Sequence, residues 1–273
     1  MKILVTGATG NIGRKVVDHL LTMGATDVRA LTNDPRRAAL PDQVEVIPGY
    51  LRRLDSLSAA FEDVDCLYLA PTPDTVTEVL TLARTAGVRR VVDLSGEPES
   101  WWGSVTEAVE SSGLEWTHLW PGDFMENTRI WAKQIRDTGA VREPYPSSAS
   151  APIAMDDIAE VAATALLGDE HAGKTYSLAG PEILTRTELV RQLGVALNHH
   201  IPFIRVSREE AIEAFHSEMG DTASWYVDEV LGGMPEHPVA PTTSVPEIIG
   251  RPATTFAHWA ADHAQDFAPA ATS

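Results

Sequence analysis

Three glycines near the start of the chain have a spacing that suits phosphate binding. Gly7, Gly10 and Gly13 lie in KILVTGATGNIGRKVVDHLL, where an apolar run precedes them and residues at helical spacing follow. Glycines between a buried strand and a helix allow a tight turn, a close approach of backbone to a pyrophosphate, and close helix packing. The pattern predicts a dinucleotide-binding turn. The other positions expected to contact the dinucleotide are Thr9, Asn11, Ile12 and Ala70.

The residues after the second apolar run, LTNDPRRA, determine which dinucleotide fits. An acidic residue here holds the ribose 2′-hydroxyl of NAD, whereas basic residues hold the 2′-phosphate of NADP. Arg36 and Arg37 supply charge and a bidentate fork for phosphate, and Asn33 lies beside them. Asp34 is either the ribose acid or the cap of the turn that follows through Pro35. We predict NADP, with NAD as the alternative.

Short apolar runs alternate with helical patterns through the first half of the chain. KILVT, VRALT, VEVIPG, CLYLA, RVVDLS and EWTHLW are each short enough for a strand. Continuously apolar strands that alternate with helices predict a parallel sheet covered on both faces. The fold class is therefore α/β, a doubly wound (Rossmann) sheet, and we expect the dinucleotide-binding domain to span residues 1–130.

The alternation of short apolar runs with helical patterns changes after Pro121. Residues 151–182 contain the helical pattern MDDIAEVAATALL and the strand pattern KTYSLAG, which we expect to return to the sheet. The rest of residues 131–273 is mostly helical. It predicts a smaller substrate lobe at the carboxyl ends of the strands, where α/β folds bind ligands.

Several segments, in order, resemble the NmrA-like family, the atypical group of the short-chain dehydrogenase/reductase superfamily. They are GATGNIG, LSG, SSGLEWTHLWPGDFMEN, MDDIAEVAATALL, YSLAGPEILT and IIGRPATTFAHWAADH, and together they span nearly the whole chain. The resemblance implies a Rossmann fold that binds NAD(P). The chain departs from the family at Asn33, where relatives often have arginine. It departs again after Gly49, where relatives commonly have aspartate facing the adenine and this chain has Tyr50. The tyrosine either stacks on the adenine or blocks it.

The usual acid–base pair of short-chain dehydrogenases is absent from this sequence. In Tyr-x-x-x-Lys the lysine lowers the pKa of the phenol, which can then transfer a proton beside the nicotinamide. None of the five tyrosines has a lysine four residues later. Some NmrA-like reductases have a lysine about eleven residues before the glycine that is Gly113 here, but that position is Trp102. Ser95 follows the fifth strand and either binds a substrate carbonyl or makes room for the nicotinamide.

The candidate substrate contacts are mostly aromatic. Trp101 and Trp102 suit the walls of a pocket for a flat or hydrophobic molecule, because an indole has a single donor. Pro121 ends the sixth strand, so residues 122–127 are expected at the mouth of the cleft, with Phe124 and Met125 facing ligand or core. The full set of predicted substrate residues is Trp101, Trp102, Asp123, Phe124, Met125 and Trp225.

Composition excludes several classes of function. A net charge of −18 opposes binding to nucleic acid and to anionic membranes. No window approaches the ~20 apolar residues of a membrane helix, and the glycine turn begins before a signal-peptide core could form. We therefore expect a cytoplasmic protein, either a monomer or a homodimer, with a small-molecule substrate.

The histidines and the single cysteine are not interpreted as functional. No histidines have a metal spacing such as His-Glu-x-x-His, so we predict no metal. Cys66, in the apolar run CLYLA, is interpreted as a buried thiol. His118 lies within the sixth strand and is interpreted as a core histidine.

Three functional hypotheses follow. The first is an NADP-dependent oxidoreductase that moves hydride between nicotinamide C4 and a small apolar or aromatic carbonyl, enone or quinone. Its proton would come from water or substrate, because these acceptors delocalise the negative charge. The second is a regulator that senses the dinucleotide without turnover. The third is a non-redox isomerase, cyclase or lyase on the same scaffold.

Overall fold

Seven parallel strands form the main sheet of the protein. The computed structural model describes residues 1–233 and 241–268. The strands within these residues are β1 Ile3–Val5, β2 Val28–Thr32, β3 Glu45–Pro48, β4 Cys66–Leu69, β5 Arg90–Leu94, β6 Glu115–Pro121, β7 Val141–Glu143, β8 Ala149–Ser150, β9 Lys174–Leu178, β10 Leu184–Thr185 and β11 Phe203–Arg205. The sheet has the order β3-β2-β1-β4-β5-β6-β9, and all of its pairings are parallel. This confirms the predicted doubly wound α/β fold.

Helices follow most of these strands. They are α1 Asn11–Thr22, α2 Val76–Thr85, α3 Gly103–Ser111, α4 Ala132–Thr138, α5 Met155–Leu167, α6 Arg186–Ala196, α7 Arg208–Met219, α8 Ala223–Trp225, α9 Ser244–Ile249, α10 Phe256–Asp262 and α11 Ala264–Phe267. Apolar residues at helical spacing, such as Val16 and Leu20 in α1 and Leu80 in α2, are buried. No helix within residues 1–233 and 241–268 is both long and apolar enough to cross a membrane.

The chain divides into two compact units. Unit 1 consists of Met1–Pro121, Met155–Leu178 and Ser244–Arg251, and unit 2 consists of Gly122–Ala154, Ala179–Thr243 and Pro252–Ser273. The two segments expected to return to the sheet form α5 and β9, and both belong to unit 1. Unit 1 therefore contains the whole seven-stranded sheet.

The order of strands creates a topological switch point in unit 1. From β1 the sheet continues to β2 and β3 on one side and to β4, β5 and β6 on the other. Parallel sheets bind ligands outside the carboxyl ends of the strands at such a point. Apolar side chains of α2, α3 and the neighbouring strands form one buried cluster, which includes Val79, Val91 and Val109. This packing holds the strand ends that border the switch point.

Unit 2 has two small sheets and its own cores. β11 pairs with β7 in parallel, and β10 pairs with β8 in antiparallel. One apolar cluster includes Trp131, Leu189 and Phe256, and a second includes Phe215 and Tyr226. The unit is stabilised mainly by helix packing.

Candidate dinucleotide-binding site

The glycine turn requires glycine at two positions, one because of its backbone conformation and one because of a close contact. Gly7 has a φ of +60°, and the Gly10 N–H donates a 2.8 Å hydrogen bond to the Gly7 carbonyl oxygen. A Cβ atom built on Gly13 would lie 2.2 Å from that same oxygen. The first turn of α1 therefore packs directly on the backbone of the turn before it, as the sequence pattern predicts.

The N-terminus of α1 is open to an anion. Gly10 precedes the helix in an extended conformation, and no side chain caps the first N–H groups. Such N–H groups and the positive end of the helix dipole attract phosphate. Thr9 and Asn11 are exposed beside this end, and Ile12 is half-buried. The residues present thus fit the pyrophosphate of a dinucleotide.

A cavity of about 290 Å³ lies at the switch point next to the turn. Five of the predicted contacts line it, namely Gly7, Thr9, Asn33, Tyr50 and Ala70. The remaining lining residues were not predicted from the sequence; they are Leu31, Thr32, Gly49, Leu51, Arg52, Pro71 and Thr72. These residues end β2 or follow β3 and β4. The rule that carboxyl ends of parallel strands meet at one edge would have found them.

Hydrogen bonds fix the ends of β1 and β4 against each other. The Thr6 hydroxyl donates to the Tyr68 carbonyl oxygen at 2.9 Å and accepts from the Ala70 N–H at 2.9 Å. Ala70 also packs against the turn, because a Cβ on Gly7 would lie 2.9 Å from the Ala70 Cβ. Ala70 is therefore part of the wall that shapes the glycine turn.

In the loop after β2, the acidic residue caps a short helix and the two arginines are exposed. The Asp34 side chain caps the short 3₁₀ helix Pro35–Arg37 by accepting from the Arg36 N–H at 3.1 Å. Asp34 was expected either to hold the ribose or to cap the following turn. This geometry is that of a cap. Arg36 is 94% exposed at its side chain, and Arg37 is also exposed. Arg36 Nε lies 3.8 Å from Asp34 Oδ1, which is an ion pair at the surface, and both guanidinium groups are exposed near the carboxyl end of β2.

Arg14 supports this loop and was missed by the sequence analysis. It lies in the first turn of α1 and donates hydrogen bonds to the carbonyl oxygens of Ala38 and Ala39. Ala39 has a positive φ of 48°. Arg14 therefore compensates the strained end of the loop that presents the two exposed arginines.

Replacing Arg36 and Arg37 together by alanine is expected to weaken NADPH binding roughly 30-fold and to change NADH binding less than about twofold. The reason is that only NADPH carries the 2′-phosphate these side chains would hold. Nicotinamide fluorescence titration measures both affinities. Arg89→Ala, which removes an exposed arginine at the amino-terminal end of β5, controls for the lost positive charge. Equal losses for the two dinucleotides would rule out this assignment.

Tyr50 lies on the cavity wall and is 39% exposed. Its N–H donates to the Ser56 hydroxyl at 3.1 Å. The preceding Gly49 is packed so tightly that a Cβ there would lie 2.6 Å from Leu31 Cδ1. The backbone that presents Tyr50 beside the cavity is thus held firmly.

Ser95 lies at the carboxyl end of β5 and is 4% exposed. Its N–H donates to the Leu119 carbonyl oxygen at 3.1 Å. The Thr106 hydroxyl lies 3.2 Å from Ser95 Oγ and 2.8 Å from the Gly96 carbonyl oxygen, toward which it donates. Ser95 is not among the residues that line the cavity. Thr106 is a partner that the sequence analysis missed.

A buried pair of titratable groups lies beneath Ser95. His118 Nδ1 is 2.7 Å from Asp93 Oδ2, and both side chains are fully buried. Burial raises the pKa of the Asp93 carboxyl, although its hydrogen bond with His118 lowers it in part. The interpretation of His118 as a core histidine is confirmed. Its pairing with Asp93 was missed, although an aspartate inside the apolar run RVVDLS was a signal for it.

The predicted substrate residues of unit 1 are exposed. Trp101 is 83% exposed and Trp102 is 39% exposed, in the segment between Ser95 and α3. A Cβ on Gly96 would lie 3.2 Å from the Trp102 Cβ. The two indoles therefore follow the end of β5 closely but do not line the cavity.

The predicted substrate residues of unit 2 differ in burial. Asp123 accepts hydrogen bonds from the Asn127 amide and the Ser150 hydroxyl, both at 2.8 Å. Met125 was expected to face either a ligand or the core. It is fully buried in the core with Trp131. The other two residues are Phe124, which is half-buried, and Trp225, which is 58% exposed.

Metal ligands and reactive thiols do not stand out in the described part of the chain. Within residues 1–233 and 241–268, no three His, Cys, Asp or Glu side chains are grouped so that they could hold a metal ion. Cys66 is buried, as predicted, and burial raises the pKa of its thiol.

Comparisons with known proteins agree with this geometry. Residues 7–97 match the model of an NAD(P)H-binding family. The chain is 34% identical to (4-alkanoyl-5-oxo-2,5-dihydrofuran-3-yl)methyl phosphate reductase of Streptomyces griseus, over 98% of this chain and 99% of that protein. It is 32% identical to NAD(P)H azoreductase of Xenophilus azovorans, over 98% of this chain and all of that protein. The NADPH complex of the NADPH-dependent quinone oxidoreductase from Escherichia coli has the same fold, with a TM-score of 0.84 and 24% identity. The match covers 95% of this chain and 99% of that chain.

Proposed function

Because the chain belongs to the NmrA-like family of atypical short-chain dehydrogenases/reductases, we propose that it reduces small conjugated carbonyl compounds, such as enones, unsaturated lactones and quinones, with NADPH. It is an NAD(P)H-dependent reductase. The observation that carries the proposal is the glycine turn with its uncapped helix, beside the cavity at the switch point. That arrangement supports dinucleotide binding independently of the relatives.

The proposed substrate class rests on the chemistry that this protein can supply. The cofactor provides a hydride at nicotinamide C4 when bound, and the protein has to orient the acceptor and exclude water. A conjugated acceptor spreads the resulting negative charge over several atoms, which reduces the need for a strong acid such as the missing Tyr/Lys pair. The named relatives act on an unsaturated lactone and on azo compounds, both of which are conjugated acceptors.

We assign roles to four groups of residues. Arg36 and Arg37 hold the 2′-phosphate and favour NADPH, and the N-terminus of α1 holds the pyrophosphate. Tyr50 stacks on the adenine, because its ring borders the cavity from a fixed backbone. Trp101 and Trp102 provide exposed apolar surface beside the end of β5, which suits a flat substrate. A reaction that consumes NADPH also supports the cytoplasm as its location.

The test is a turnover assay with purified protein that has been freed of nucleotide. NADPH is mixed with menadione, an azo dye or cyclohexenone, and the loss of nicotinamide absorbance is followed together with product formation. The proposal expects NADPH oxidation that depends on both protein and acceptor, and slower turnover with NADH. If the protein binds NADPH but oxidises it with none of these acceptors, the result would favour a regulator. Product formation without nicotinamide oxidation would favour a non-redox enzyme.

A further inference from the structure

The segments that line the cavity at the switch point are joined by a closed series of contacts. They are the turn after β1, the end of β2, and the loops after β3 and β4. The hydroxyl oxygens of Thr9 and Thr32 lie 3.3 Å apart and join the turn to β2. The Gly49 N–H donates to the Thr32 carbonyl oxygen at 2.9 Å and joins β2 to the loop after β3. The Ala70 N–H donates to the Thr6 hydroxyl and joins the loop after β4 to β1. A link between the loops after β3 and β4 completes the series.

This last link is not imposed by the sheet. β3 and β4 are not neighbours, because β2 and β1 lie between them. At the usual spacing of adjacent strands, the ends of β3 and β4 are roughly 14 Å apart. The two loops therefore meet only through residues that extend beyond the strands. Their contact can open without breaking any pairing within the sheet.

Arg52 and Asp74 make the first contact of this link. Arg52 Nη2 lies 3.2 Å from Asp74 Oδ2, and the two side chains are 57% and 65% exposed. Among the described residues that line the cavity, Arg52 is the one with a charged side chain. Exposed side chains change rotamer within nanoseconds, so this ion pair can break and re-form as a ligand passes it.

Thr75 makes the second contact, and it does so instead of capping its own helix. Thr75 is the N-cap residue of α2, where a threonine side chain usually accepts a hydrogen bond from the first turn, but here no such bond forms. Its hydroxyl donates to the Leu51 carbonyl oxygen at 3.0 Å. Because that bond uses its proton, Thr75 accepts from the Thr72 hydroxyl, which lies 2.8 Å away. Thr72 and Leu51 both line the cavity, so the second contact is continuous with the cavity wall.

We propose that the Arg52–Asp74 ion pair and the Thr75 hydroxyl form a clasp over the adenosine half of the dinucleotide, and that the clasp determines how long the dinucleotide stays bound. The proposal rests on the proposed function, because it takes this cavity as the dinucleotide site. The adenosine half is the part concerned, because Asn33 and Tyr50 line the cavity after β2 and β3, and residues after β2 hold the adenosine ribose in this fold.

The bound dinucleotide strengthens the clasp that covers it. In the empty site, water surrounds the ion pair, and an exposed pair contributes little. A ligand beneath the pair displaces part of that water and lowers the local dielectric constant, which increases the attraction between the two charges. The planar guanidinium group of Arg52 can also stack on a flat ring. The clasp is thus weak when the site is empty and stronger when it is filled.

The rate at which NADPH leaves the protein tests the clasp without any acceptor. Stopped-flow fluorescence follows the release of bound NADPH after excess NADP⁺ is added. We expect dissociation about fivefold faster in Arg52→Gln and in Asp74→Asn. Arg53→Gln and Glu78→Gln are the matched controls, because they remove exposed charges on the same loop and on α2 that do not line the cavity. Both controls should release NADPH at the wild-type rate.

The association rate separates a clasp from general damage to the site. Asp74→Asn removes a carboxylate near the entry of an anionic ligand, so we expect NADPH to associate at least as fast as with the wild type. A distorted site would bind NADPH more slowly.

Exchanging the two charges tests the contact itself. Arg52→Asp alone places two carboxylates together, and we expect NADPH to leave about tenfold faster than from the wild type. Adding Asp74→Arg restores an ion pair of opposite direction and should bring the rate to within about twofold of the wild type. NADH should show the same changes in every variant, because it has the same adenosine half without the 2′-phosphate.

The outcomes distinguish the clasp from the reductase function. Wild-type dissociation rates in Arg52→Gln and Asp74→Asn would overturn the clasp, as would an exchanged pair that releases NADPH as fast as Arg52→Asp alone. Faster release of NADPH without faster release of NADH would also overturn it and would make Arg52 a ligand of the 2′-phosphate. If the rates change as predicted but NADPH is oxidised with no acceptor, the reductase function fails and the clasp stands. A wild-type protein that binds neither dinucleotide would overturn both.

Discussion

Replacing Gly13 by alanine is expected to weaken NADPH binding roughly 100-fold or more. The added Cβ would lie 2.2 Å from the Gly7 carbonyl oxygen and 2.7 Å from its carbon. Neither atom is the end of a flexible side chain, so the turn and α1 have to separate. The N–H groups at the start of α1 then no longer point at the pyrophosphate. Fluorescence titration with NADPH measures the loss.

The same substitution should lower the free energy of unfolding by about 3 kcal/mol, as overpacking in a close contact does. Gly168→Ala is the matched control, because its added Cβ would meet only the mobile end of the Glu170 side chain. We expect the control to bind NADPH like the wild type. A Gly13→Ala protein that keeps wild-type NADPH affinity would show that the turn does not hold the pyrophosphate.

Replacing Arg186 by methionine should destabilise unit 2 by about 3–5 kcal/mol, since it leaves a buried carboxylate unpaired. Arg186 and Glu143 are at most 2% exposed, and two hydrogen bonds of 2.9 and 2.6 Å join them. The Trp131 indole N–H donates to the same carboxylate at 2.6 Å, and the guanidinium stacks 4.5 Å from the Trp131 ring. Chemical denaturation measures the loss.

Two further variants separate the causes of this loss. Adding Glu143→Gln to Arg186→Met removes the unpaired charge but keeps an acceptor for Trp131, so most of the stability should return. Arg208→Met removes one partner of a bidentate pair with Asp228 at the surface, and we expect a much smaller effect because exposed ion pairs contribute little. A double variant no more stable than Arg186→Met would contradict the electrostatic explanation.

The parts of the site that follow from local backbone rules were predictable from sequence. The alternation of apolar runs and helical spacing defined the sheet, and the glycine spacing located the turn before α1. The apolar periodicity and the glycine spacing are both local signals. Each depends only on the side chains that a single strand, helix or turn requires. For the same reason Cys66 and His118, which lie inside apolar runs, could be recognised as buried.

Contacts that depend on strand order were not predictable in this way. Thr72 and Leu51 line the cavity because β3 and β4 end at the same edge as β1, so the rule for parallel strand ends finds them only after the strands are assigned. Asp93 and His118 are 25 residues apart and meet through the register of β5 with β6. Arg186 and Glu143 are 43 residues apart and meet through tertiary packing of unit 2. The sequence marks Asp93 as a polar residue inside an apolar run, but spacing along the chain does not specify its partner.

The most direct test of the central claim is hydride transfer from labelled cofactor. Purified protein is incubated with cyclohexenone and NADPH deuterated at nicotinamide C4, with each of the two C4 epimers in turn, and the product is analysed by mass spectrometry and NMR. We predict that one epimer delivers deuterium to the carbon β to the carbonyl, while the other delivers none. A product without deuterium from either epimer, or no product at all, would contradict the assignment as an NADPH-dependent reductase of conjugated carbonyl compounds.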